Sequence, residues 1–283
     1  MPINMNRKTK REIAVALKGL AMVFAIIILV TAAIRIKFEK EYIPYPDSLS
    51  LLPVNDYALD HFYQDENGLL SYDDDNYCSM AGIDVSEHQG VIDWQKVKEA
   101  GIEFAYLRAG FRGYSIGGLH EDHYFYDNYK GAKENGIKVG VYFFSQAINE
   151  EEAREEAEFV HQMIKDLEID LEVVYDYEMP EESRIRNLEK SQYTLNALSF
   201  ATAIMTYGYK PMIYANLDWI YHVYDMSKIL NYDLWYAQYH QEPEVVYAYK
   251  IWQYSENGHL DGINEDVDLN VRFIPKHMND QSQ

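Results

Sequence analysis

From residue 81 onward, short apolar runs alternate with stretches whose apolar positions recur every three to four residues. The short runs predict strands at 82–85, 104–109, 137–144, 171–177, 211–214, 234–237 and 251–253, with a further one at 267–269. The longer periodic stretches predict helices at 94–100, 123–135, 150–167 and 187–207. Asp93 is placed to cap the first helix, Gly136 and Gly208 to end two others, and acids fill the first turn of 150–167, as the helix dipole favours. Strand and helix in repeated alternation imply an α/β chain with parallel strands and helical crossovers. The span 81–274 suits an irregular or incomplete TIM-like β/α barrel, whose chemistry belongs at the C-terminal strand ends.

The start of the chain follows a different pattern. Arg7, Lys8, Lys10, Arg11 and Lys18 precede an apolar run through residues 19–34. This predicts a short cytoplasmic basic segment (1–13) and a transmembrane signal anchor (14–34), a single pass through the cell membrane with the remainder exported. The alternative is a secreted protein cleaved after a signal peptide, since Thr31, Ala32 and Ala33 are small. Residues 35–80, with Pro44, Pro46 and Pro53 and no sustained periodicity, read as an extracytoplasmic stalk, and 275–283 as a tail. Asp73, Asp74 and Asp75 read as a solvated acidic turn, because they lack the spaced ligands and turn glycine of a calcium loop.

Removing the first 40 residues, with eight Lys/Arg and two Asp/Glu, leaves 17 basic against 44 acidic residues and a formal charge of −27. Such a surface repels nucleic acid and anionic lipid. The single cysteine, Cys78, excludes an intramolecular disulfide framework.

The candidate chemistry centres on Asp176 and Glu178, at the end of the apolar run 171–177. Alternation along a strand puts both on one face and Tyr175 and Tyr177 on the other. Pro180 should end the strand and leave the acids at its tip. Two adjacent carboxyls raise the pKa of one and keep it able to donate a proton, as acid-assisted glycoside cleavage requires. Asp84 closes the first strand, and Asp261, Asp266 and Asp268 follow the strand around Trp252. Barrel closure would gather these ends around one mouth, with Tyr214, Trp235, Tyr239, Trp252, Gln253 and Tyr254 as substrate-binding candidates. Any one of these aromatics can equally be core. No metal or cofactor is expected: the His120-x-x-His123 pair lacks the arrangement of a metal hydrolase.

Eight ordered blocks carry a resemblance: GIDVSEHQGVIDW (82–94), FAYLRAGFRG (104–113), KVGVYFFSQA (138–147), VVYDYE (173–178), MIYAN (212–216), LWYAQY (234–239), IWQYS (251–255) and VDLN (267–270). In these the chain resembles glycoside hydrolase family 25, the N-acetylmuramidases called Chalaropsis-type lysozymes. The resemblance implies an irregular β/α barrel that hydrolyses the β-1,4 bond between N-acetylmuramic acid and N-acetylglucosamine, so that the partner is a peptidoglycan glycan strand. It implies Glu178 as proton donor, Asp176 as its companion, Asp84 as the acid ending the first strand, and Asp268 as the fourth acid, with Asp261 the weaker candidate. Arg108, Ala109 and Gly110 depart from the lysine and acidic ending that some members carry, so the second strand names no catalytic residue. A chitinase-like family 18 reading fails at Val174, where a further aspartate is needed. A barrel that grips peptidoglycan without cutting it is the alternative from another class.

Overall fold

The computed structural model describes residues 52–180 and 182–276. The expected cytoplasmic segment, the anchor and most of the tail lie outside the described residues. Among the described residues, no helix is long and apolar enough to cross a membrane.

A small hairpin, β1 (Phe62–Gln64) and β2 (Leu70–Tyr72), precedes the main sheet. There follow β3 (Tyr77–Val85), α1 (Trp94–Glu99), β4 (Phe104–Arg112), β5 (Leu119–Glu121), α2 (Phe125–Glu134), β6 (Lys138–Ser145), α3 (Glu150–Ile164), β7 (Val173–Tyr177), α4 (Lys190–Thr206), β8 (Pro211–Asn216), α5 (Met226–Ile229), β9 (Asp233–Ala237), β10 (Ile251–Gly258) and β11 (Val267–Pro275). The strand order β3-β11-β10-β9-β8-β7-β6-β4 closes into a barrel through β3–β4 pairing, and β5 flanks β4 antiparallel.

Every barrel pairing is parallel except those of β11, which runs antiparallel to both β10 and β3. The expectation of an all-parallel sheet is corrected here. The connection from Gly258 to Val267 is too short for a crossover and can only fold back as a hairpin. Elsewhere the expected strands and helices are present with ends shifted by a few residues. The short β1, β2, β5 and α5 have too few residues to show a period.

Alternation fixes what fills the barrel. Phe104, Tyr106, Tyr142, Val174, Met212, Tyr214, Trp235, Ala237 and Ile251 form one buried interior cluster. Large rings fit because their neighbours have no side chain. A Cβ at Gly82 would lie 2.3 Å from the Phe104 ring, and one at Gly140 2.2 Å from that of Tyr106. Outside, Tyr175 packs on Phe200 of α4 at 4.8 Å, and Tyr177 on Trp219 at 5.2 Å. At the floor, Glu172, just before β7, accepts from Arg272 of β11 (2.8 and 2.9 Å), Tyr106 of β4 (2.7 Å) and Lys250, just before β10 (2.7 Å).

The stretch expected to be a stalk differs from Leu52 on. No helix links β9 to β10, so the outer side of β10, β11 and β3 needs another cover. Residues 52–80 supply it: Tyr57 stacks on Phe273 at 3.9 Å, and Phe62 meets Trp252 edge-on at 5.7 Å. Asn55 N–H donates to the Val246 carbonyl at 3.0 Å. Asp74 organises its own turn, accepting from the N–H groups of Asn76 and Tyr77, while Asp73 pairs with Lys276 at 2.6 Å.

Candidate active site

Strand ends bring four carboxyls to one mouth. Asp84 is the penultimate residue of β3, Asp176 lies on the interior face of β7, and Glu178 follows that strand directly. Asp268 on β11 sits in register with Asp84 and is hydrogen-bonded to it. Asp84 Oδ1 also accepts from Asn270 Nδ2 at 2.7 Å and Gln253 Nε2 at 2.9 Å. Gln253 Oε1 in turn accepts from the hydroxyls of Tyr214 (3.1 Å) and Tyr239 (2.9 Å). Below them the Trp235 indole donates to Asn270 Oδ1 at 2.8 Å. One polar web therefore fixes the rotamers of β3, β8, β9, β10 and β11 around Asp84.

Burial and mutual repulsion hold protons on this cluster. Asp268 is pushed up to about 9, by burial and then by the charge of Asp84. Burial also raises Asp84, against the hydrogen bonds it accepts. Asp176 is raised well above the carboxylate range, first by burial and then by the charge of Glu178. Glu178 is raised by burial, opposed by a hydrogen bond from Tyr214. The four titrate as a coupled set, in which a proton on Glu178 favours ionisation of Asp176. Asp176 Oδ1 is buried without a hydrogen-bond partner.

Three contributors went unread in the sequence. Arg108, on β4, lowers the pKa of Asp176 by its charge and is itself held by Asp122 at 2.8 Å and Glu87 at 3.2 Å. The alternation that turns Tyr106 inward also turns Arg108 inward, and that was the available signal. Asn270 closes the VDLN block, yet only β11's register reveals it beside Asp84. Gln146 donates to the Glu178 carbonyl at 2.9 Å and accepts from Ser183 at 2.5 Å, tying down the loop after β7.

The other predicted residues divide. Tyr214 and Tyr239 reach the web, and Tyr239 is 42% exposed at the lip. Trp235 lies beneath, 2% exposed, where it orients Asn270. Trp252 and Tyr254 are not brought to the carboxyls. Gln253 faces inward, so Trp252 faces outward onto Phe62, its indole donating to the Gln238 carbonyl at 2.8 Å. The Tyr254 hydroxyl accepts from Leu70 N–H at 3.3 Å. Asp261 and Asp266 stay exposed in the β10–β11 connection.

A family model, Glycosyl hydrolases family 25, matches residues 83–263, a span that holds Asp84, Asp176 and Glu178. The chain belongs to glycosyl hydrolase family 25. It is 30% identical to the autolytic lysozyme of Clostridium acetobutylicum over 191 residues, covering 67% of this chain and 55% of that one. It is 33% identical to the uncharacterized protein YegX of Escherichia coli K12, covering 68% and 69%. The chain thus spans only about half of the clostridial enzyme's length. Among solved structures, the bacterial lysozyme from Streptomyces coelicolor aligns with a TM-score of 0.56 at 26% identity, covering 68% of this chain and 90% of that one. The autolysin LytC from Streptococcus pneumoniae, solved with a synthetic peptidoglycan ligand, gives 0.64 at 23% identity, covering 75% and 52%, a likeness of fold.

Proposed function

We propose that this protein is an N-acetylmuramidase that cleaves the β-1,4 bond between N-acetylmuramic acid and N-acetylglucosamine, with Glu178 as the proton donor. The observation that carries the reading is Glu178, its pKa raised by burial, placed directly after β7 and two residues from the interior-facing Asp176. Glu178 gives its proton to the leaving glycosidic oxygen as the C1–O bond breaks. Asp176 accepts the N–H of the substrate's 2-acetamido group and aims its carbonyl oxygen at C1. That oxygen forms the new bond to C1. Water then attacks C1 as the new bond to the acetamide oxygen breaks, losing a proton to the Glu178 carboxylate, with retention of configuration. Asp84 and Asp268, sharing a proton, hold the polar web in place and put one charge rather than two near Asp176.

The test is incubation of the purified protein and its Glu178→Gln variant with peptidoglycan, followed by mass spectrometry of reduced products. New N-acetylmuramic acid reducing ends are expected from the wild type, with a loss of about 10²–10⁴-fold in the variant. No products from either, with both pelleting with the wall, would replace this reading with a non-cutting peptidoglycan-binding barrel. An inverted first-formed anomer would remove the acetamide-assisted step alone. With residues 14–34 as a membrane anchor, the enzyme would remodel wall within reach of its own membrane. Recovery of the protein from the medium of native cells would contradict that placement.

A further inference from the structure

The β4–β5 hairpin ends in an uncharged run, Gly113, Tyr114, Ser115, Ile116, Gly117 and Gly118, within an otherwise strongly acidic chain. Two of its side chains stand in solvent: Tyr114 is 47% exposed and Ile116 91%. The tip is nevertheless held rigidly. Gly113 N–H donates to the Gly118 carbonyl at 2.9 Å, and Arg112 Nη1 to the Gly117 carbonyl at 2.7 Å. Arg112 is itself buried on Glu156 at 2.7 Å. Arg184 donates its backbone N–H to the Tyr114 carbonyl at 3.1 Å and grips Glu152 with both terminal nitrogens, at 2.9 and 3.0 Å. Gly117, at φ +72°, leaves room for that guanidinium, since a Cβ there would lie 1.9 Å from Arg184 Nη1. Arg184 belongs to the loop that starts at Glu178, so tip and proposed acid share one mount.

The tip also continues the mouth. Tyr114 meets Phe144 edge-on, with centroids 5.9 Å apart, and Phe144 is the β6 residue in register with Asp176 on β7. An exposed aromatic on a fixed backbone offers a flat apolar face and a polar tip at little cost in conformational entropy. The run carries no charge of its own, and the charged groups that brace it, Arg112 and Arg184, are paired with Glu156 and Glu152, so a neutral sugar ring can lie there.

We propose that Tyr114 and Ile116 form a carbohydrate subsite that stacks a sugar ring of the glycan strand outside the pair being cleaved. The proposal rests on the muramidase reading, and it makes the enzyme prefer long strands to short ones. Tyr114→Ala, Tyr114→Phe and the control Met205→Ser, whose residue is exposed on α4, would be assayed on long glycan strands and on the shortest oligosaccharide cleaved. Tyr114→Ala is expected to raise KM on long strands roughly five- to tenfold relative to the short substrate, the loss of one stacked ring. Tyr114→Phe should keep most of the preference, because the ring face binds, and Met205→Ser should leave both substrates unaffected. Tyr114→Ala with an unchanged ratio overturns the subsite while leaving the muramidase intact. If the wild type cuts neither substrate, the muramidase reading has failed. Sedimentation with long glycan strands then decides the subsite: binding equal in wild type and Tyr114→Ala overturns it.

Discussion

Replacing Glu172 with glutamine tests whether the barrel floor is held by charge. The carboxylate is buried, and it receives four hydrogen bonds: two from Arg272, one from Lys250 and one from Tyr106. A glutamine of the same size keeps one acceptor oxygen and turns an NH₂ toward donors it cannot satisfy. Arg272, only 5% exposed, is then left without its counter-ion. Breaking a buried pair in this way costs about 3–5 kcal/mol. For a domain of this size each kcal/mol moves Tm by about 2–4 °C, so a fall of about 6–20 °C is expected at pH 7. The pH dependence supplies an independent check. Burial alone would raise the Glu172 pKa, but the hydrogen bonds and charge of Arg272, joined by Lys250, hold it far below the ordinary value. A depressed carboxyl contributes stability above its unfolded pKa and loses it as pH falls, so the gap between wild type and variant should narrow below about pH 4. Circular dichroism melts at pH 7, 5 and 3 read both effects. A fall under 2 °C at pH 7, or a gap that persists undiminished at pH 3, would refute the argument.

Two further outcomes follow from the same structure. Asp268 has a raised pKa, so the native state retains a proton that the unfolded chain releases, and stability declines as pH rises from about 4 toward 9. Asp268→Asn should therefore stabilise by about 0.5–2 kcal/mol, with the gain growing across that window in melting curves. A chain shortened to begin at residue 81 would uncover Phe273, Trp252 and Tyr249, and it should aggregate or melt without a cooperative transition by calorimetry. Full cooperativity in that shortened chain would show that residues 52–80 are dispensable.

The alternation of apolar and polar positions determined the order of strands and helices after residue 81. It placed Asp176 and Glu178 on one face and turned Tyr175 and Tyr177 toward α4, because side-chain direction in a strand is a local property of the backbone. The ordered blocks determined the family for the same reason, since they mark strand ends. Other features were decided only by the tertiary structure. Strand register made Asp268 the partner of Asp84, and put Asn270 and Gln253 on the same carboxyl oxygen from two other strands. The inward face of β10 belongs to Gln253, which sends Trp252 outward to Phe62 although both are aromatic-block residues of equal promise in the sequence. Residues 52–80 look like a linker because their apolar side chains have no period, and what they cover becomes visible only when β10 and β11 lack a helix. Pairing across the barrel joins residues nearly 190 positions apart, as with Asn270 and Asp84, and no periodicity within a window of the chain encodes contacts of that range.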